Sequence, residues 1–290
     1  MPTTIILTTI LGFIVGILVN LIADYLPARR HHELASTNPF VSPSGIPPMP
    51  TFLPRRADAQ DRRLWPLWAW SGVLSWLTNT PTFAERHPMR HVLTELGLAA
   101  AFGWIGGTFA DIPQLPYLLF DAAIFALIVI IDVEHRWVML EIIVPAALVT
   151  IFEAGVWPGN ALELTLKGGL YGFGVTFGLY LLGKVFGRAL EMIRHRRIGR
   201  TVFGLGDVYI GTLGGLLVGS EGLWWAVLIM VFTGGVASLG FVAYKILRTR
   251  RYRMFSAIPY GPYIVIGFAA MLYIPQVIDL IFRRLLNWPY

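Results

Sequence analysis

Long runs of apolar residues with almost no charge inside them recur along this chain, and they constrain it more than any other feature. A bilayer core takes about 20 apolar residues in helical form, because backbone N–H and C=O groups must pair internally where water is absent. About eight such runs are visible, at 4–26, 91–110, 114–131, 137–157, 164–186, 207–220, 222–247 and 260–282. The sixth is short and calls for local thinning of the bilayer or a tilt. The expectation is an all-α polytopic membrane protein. Composition agrees: 56% hydrophobic and 14% charged residues over 290 positions exclude disorder and a coiled coil, and the absence of cysteine excludes a disulfide scaffold. The first run has no basic residues before it and is long enough to span, so it reads as a transmembrane helix rather than a removable signal.

Charge orients the spans. With the spans alternating, twenty Lys and Arg fall on one side and three (Lys167, Arg283, Arg284) on the other. The positive-inside tendency makes the crowded side cytoplasmic, with the N terminus outside. Arg283 and Arg284 fit this topology poorly. The formal charge of +6 points to anionic lipid rather than nucleic acid, because the basic residues cluster between apolar spans. The chain then divides into a first helix (1–26), a larger cytoplasmic loop (27–90) and a multi-helix membrane domain (91–290). The loop reads as irregular at first. It then carries Trp65, Trp68, Trp70 and Trp76 among Leu and Val, a segment too short to cross that suits the headgroup level, with a partner-docking face as the second reading.

Carboxylates in or near spans are costly and need a reason. Asp111, Glu153, Glu163, Glu221 and Asp279 sit at or near outer ends, Asp121 and Glu141 deeper. Asp132 and Asp207 both fall at the cytoplasmic edge, although 75 residues separate them. Taken singly, Asp207 reads as a helix N-cap and Asp132 as a charged flank. Gly204 and Gly206 before Asp207 permit a close backbone approach. Should the two carboxylates meet, they would share a proton. Such a pair suits peptide hydrolysis: the ionised partner takes a proton from water, and the protonated one donates to the carbonyl oxygen. The helix-end dipoles favour Asp207 as the charged member.

These segments resemble the type IV prepilin peptidases, membrane aspartyl proteases of the Gly-x-Gly-Asp type. Gly204-Leu205-Gly206-Asp207-Val208 resembles the family's catalytic segment, and Ile131-Asp132-Val133-Glu134-His135, with Pro145 following, resembles the one carrying its first catalytic Asp. Gly16 to Asn20, closing at Leu26-Pro27, is similar to the N-terminal signature; Arg90 to Leu96 is similar to the opening of the second helix, and Ile258-Pro259-Tyr260-Gly261-Pro262 to that of the last. The resemblance implies an aspartyl endopeptidase of the inner (cytoplasmic) membrane. It would cut the short basic leader from prepilin or pseudopilin precursors at the cytoplasmic face, with Asp132 and Asp207 catalytic and no metal or cofactor needed for proteolysis. It further implies Asn20, Pro259, Tyr260, Gly261 and Pro262 as substrate-binding candidates, with Asp24 and Glu95 as partners for the leader's positive charge. Glu95 reads equally well as an interhelical hydrogen-bond acceptor.

The chain also departs from the family. Met139-Leu140 stand where Pro-Asp is frequent, Tyr25 where Arg precedes Leu-Pro, and Tyr209 where Lys follows Gly-Asp-Val. Many members carry paired cysteines in the loop, accompanying N-methylation of the trimmed pilin. This chain has none, and His31-His32 cannot replace four thiolates in a tetrahedral sulfur site. S-adenosylmethionine is implied only if methylation is retained, and no methyl-donor motif is visible. Two other classes stay open: a catalytically silent membrane scaffold, and an ion-coupled transporter using Asp121, Asp132, Glu141 and Asp207, although no internal repeat supports the latter. The sequence leaves the oligomeric state open.

Overall fold

The computed structural model describes residues 2–38, 41, 45–47, 49–52, 67–78, 88–157, 161–194, 204–249 and 259–286. Among these every regular element is helical. The helices are α1 (Pro2–Thr37), α2 (Gly72–Thr78) after a 3₁₀ turn at Leu67–Trp70, α3 (Pro88–Thr108), α4 (Leu115–His135), α5 (Leu140–Val156), α6 (Ala161–Arg194), α7 (Leu205–Thr249), α8 (Gly261–Tyr273) and α9 (Pro275–Leu286). Leu64, Trp65, Ile258 and the basic residues at 195–203 and 250–258 lie outside the described residues. The chain divides into two compact units, Met1–Ile131 and Asp132–Tyr290.

By length and composition, α1, α4, α6 and α7 can each cross a membrane, and α8 with α9 make a fifth crossing if that bent pair is one span. The all-α polytopic class is what the structure shows; among the described residues four or five helices meet this criterion, against the eight crossings expected. Three details differ from the sequence reading. First, α1 does not stop at Pro27 but carries it inside the helix and runs on to Thr37, so the start of the 27–90 segment is helical. Arg29 and Glu33, 2.8 Å apart with i,i+4 spacing, support the extension. Second, Glu141 is an exposed residue in the first turn of α5, where a carboxylate suits the helix dipole; it is not deep in a span. Third, the run at 260–282 is two helices bent by 100°. At about 1.5 Å per residue, α8 with its 13 residues is too short to cross alone. Pro275 causes the break, because a residue before proline is pushed out of the helical region, and Ile274 indeed leaves it (φ −134°, ψ 43°). Arg283 and Arg284 accordingly belong to a helix that does not continue the axis of α8.

In the first unit α1 and α3 pack antiparallel through small residues, the usual way for membrane helices to approach. A Cβ on Gly12 would stand 2.5 Å from the Leu98 carbonyl oxygen, and one on Gly16 2.7 Å from Glu95 Cα. In the second unit α7 packs against α5, α6 and α8. α7 holds both runs expected at 207–220 and 222–247, and its break is Gly219 in the left-handed region (φ 67°, ψ 179°). The α6–α7 crossing is again glycine on glycine: a Cβ on Gly172 would be 2.5 Å from the Gly211 carbonyl oxygen.

α4 ends with Arg136 in the left-handed region (φ 56°), its N–H bonded to the Asp132 carbonyl at 2.9 Å. This position normally belongs to glycine. Arg136→Gly is expected to raise the stability of the detergent-solubilised protein by about 0.5–1 kcal/mol, by relieving the left-handed Cβ conflict. A lower denaturation midpoint would show that the arginine side chain holds the turn.

Candidate active site

Asp132 and Asp207 belong to the same compact unit, and their carboxylates interact electrostatically. Each is held by a backbone N–H. Asp207 is the third residue of α7 rather than its N-cap, and its Oδ2 accepts from the Gly204 N–H at 2.8 Å. That is the reach-back half of a capping box, a third-position carboxylate closing on the backbone before the helix. Asp132, buried in the last turn of α4, accepts at Oδ2 from the Gly261 N–H, 3.1 Å away and 129 residues along the chain.

The 259–262 segment reaches Asp132. A Cβ on Gly261 would stand 2.5 Å from Asp132 Oδ2 and 2.8 Å from Cγ, so only glycine lets this backbone reach the carboxylate. The neighbouring Tyr260 is the N-cap of α8. Its neutral phenol is an O–H donor. Its ring lies over Gly234 of α7, where a Cβ would be 2.8 Å from Cε2 and 2.9 Å from the hydroxyl. Pro262 occupies the first turn of α8, where its missing N–H costs nothing. Pro259 precedes Tyr260 just outside the helix. Gly206 faces the segment after α4: a Cβ there would be 2.7 Å from Val138 Cγ2. Arg136, one turn past Asp132, adds a positive charge near that carboxylate.

Val138, Gly234 and Arg136 carry no motif that would single them out. Gly234-Gly235 reads in sequence as helix-packing glycine, and only the structure shows the Tyr260 ring against it.

The other candidates form a separate cluster in the first unit. Asn20 is fully buried and its Nδ2 donates to the His91 carbonyl at 3.1 Å and to Glu95 Oε1 at 3.5 Å. Asp24 pairs with Arg90 Nη2 at 2.6 Å and His91 Nε2 at 3.1 Å. Glu95 has no exposed surface. It accepts from Ser71 Oγ (2.6 Å), the Gly72 N–H (2.7 Å) and the Val73 N–H (3.1 Å). Of its two readings the surroundings fit the interhelical acceptor, because no part of the carboxylate is open to a leader. Among the described residues no three His, Asp or Glu side chains converge as a metal site would require.

Residues 118–239 match the family model of the type IV leader peptidase family. The match contains Asp132, Gly204, Gly206 and Asp207; Asn20, Asp24 and Glu95 precede it, and Pro259 to Pro262 follow it. It supports a protease of the type IV leader peptidase type, and the apolar helices accord with a multi-pass membrane protein. No curated protein and no solved structure matches the chain.

Proposed function

We propose, from the premise that residues 118–239 are those of a type IV leader peptidase family member, that the chain is an aspartyl endopeptidase of the cytoplasmic membrane. It cleaves the basic leader from prepilin or pseudopilin precursors on the cytoplasmic side. The observation that carries this reading is that Asp132 and Asp207 stand in one compact unit with each carboxylate held by a glycine backbone N–H, Asp132 by Gly261 and Asp207 by Gly204.

In the proposed reaction one carboxylate is ionised and its partner protonated. The ionised one takes a proton from water as the water oxygen attacks the scissile carbonyl, and the protonated one donates to the carbonyl oxygen. Collapse of the tetrahedral species breaks the C–N bond, with a proton delivered to the leaving nitrogen. Tyr260, as a donor, and the 259–262 backbone form the substrate-facing wall. Asp24 keeps an exposed edge and is the proposed acidic contact for the leader.

Incubating the purified chain in lipid nanodiscs with a pilin precursor tests the reading. The expected product is the precursor shortened by its leader. An intact precursor would favour the silent scaffold or the transporter. Within the site, Gly206→Ala is expected to lower cleavage about tenfold by pushing on Val138, and Val138→Ala in the same chain should restore most of it.

A further inference from the structure

We propose that residues 67–78 form a membrane-interface anchor that the buried Glu95 carboxylate clamps onto α3, with Leu74, Trp76 and Leu77 immersed in lipid. This goes beyond the proteolytic reading and does not rest on it.

α2 has seven residues, well under the length at which a helix persists in water without help. Its help comes from α3. Glu95 takes the Gly72 and Val73 N–H groups and the Ser71 hydroxyl, while Ser71 Oγ itself accepts from the Leu74 N–H at 3.2 Å. The unpaired donors of the α2 first turn are therefore filled by one N-cap and by one carboxylate from another helix. The approach is backbone-close: a Cβ on Gly72 would be 2.5 Å from His91 Cβ and 3.0 Å from the Val92 nitrogen.

The sidedness of α2 identifies what covers it. Ser71, Gly72 and Ser75 face inward and are buried, while Leu74, Trp76 (70% exposed) and Leu77 (66%) face outward. A helix with small polar residues inside and large apolar ones outside is inverted for water and correct for lipid. The surface beside it is of the same kind, since Met89, Leu93 and Leu96 are exposed on α3, so the apolar face of α2 adjoins another apolar one. The depth is fixed too. The Arg90–Asp24 pair marks the charged level of the α1–α3 pair, and α2 docks at His91 to Glu95, just inside it, where tryptophan is favoured.

The chain has no cysteine, so Leu77→Cys places a single thiol on the outward face. Labelled with an environment-sensitive fluorophore and reconstituted in phosphatidylcholine–phosphatidylglycerol vesicles, it should be quenched severalfold more strongly by lipid carrying a shallow acyl-chain nitroxide than by aqueous iodide. Adding Glu95→Gln, which puts an amide NH₂ among donors, should invert that order. Should Glu95→Gln fail to fold, Gly72→Ala, which drives α2 off His91, should invert it instead. Stronger iodide quenching in the parent would overturn the anchor, as would quenching by neither agent, the sign of a covering protein surface. Unchanged lipid quenching in a folded Glu95→Gln chain, or in Gly72→Ala where that chain is the one that folds, would overturn the clamp.

Discussion

Asp132→Asn and Asp207→Asn are each expected to lower kcat/KM for precursor cleavage by about 10³-fold or more, because an amide can neither take the proton from water nor give one to the leaving group. The substitutions are mild in every other respect. In the first variant the new amide oxygen still accepts from the Gly261 N–H, and in the second from the Gly204 N–H, the bonds that hold the carboxylates now. The unfolding midpoint should therefore stay near that of the parent, and the loss should read as chemistry. Cleavage within tenfold of the parent in either variant would remove the two-carboxylate mechanism.

Gly261→Ala should cost about 10²-fold without touching an ionisable group, the scale of penalty expected when a reacting group is displaced by about 1 Å. The new Cβ meets Oδ2, Cγ and Cβ of Asp132 at 2.5, 2.8 and 3.3 Å. All three contacts are on one buried side chain at the end of α4, so the carboxylate must rotate away and lose its backbone donor. Gly174→Ala and Gly178→Ala are the controls, because a Cβ at either position meets nothing within 4 Å. They should leave cleavage unchanged. An active Gly261→Ala enzyme would show that the position of Asp132 tolerates a shift and that the 259–262 backbone is not its holder.

The apolar runs were enough to mark the chain as all-α and polytopic, because lipid imposes a strong rule: apolar runs of spanning length become helices. The same rule missed the fate of 260–282. The run is apolar throughout Ile274-Pro275, and only the stereochemistry of the residue before proline, rather than hydropathy, signals the 100° bend. At Pro27 the opposite holds, since a proline that looks terminal is accommodated and the Arg29–Glu33 pair follows it.

The site divides along similar lines. Asp132, Asp207, Gly204 and Gly206 are visible because carboxylates at span ends are costly and glycines before one are unusual. The bond from Gly261 to Asp132 crosses 129 residues and has no local signal. Glu95 shows the limit most clearly: in sequence it is one acidic residue near a span end, and its partners at Ser71 to Val73 stand 22 to 24 residues away with no local signal that joins them.

The central claim is that Asp132 and Asp207 act as one unit, and the Asp132→Asn/Asp207→Asn double variant tests it most directly. If the carboxylates work only together, the double variant should cleave no more slowly than the worse single variant, to within a few-fold, as expected of residues acting as a unit. Two penalties that multiply, each as large in the absence of the other carboxylate as in its presence, would show two independent groups and contradict the account.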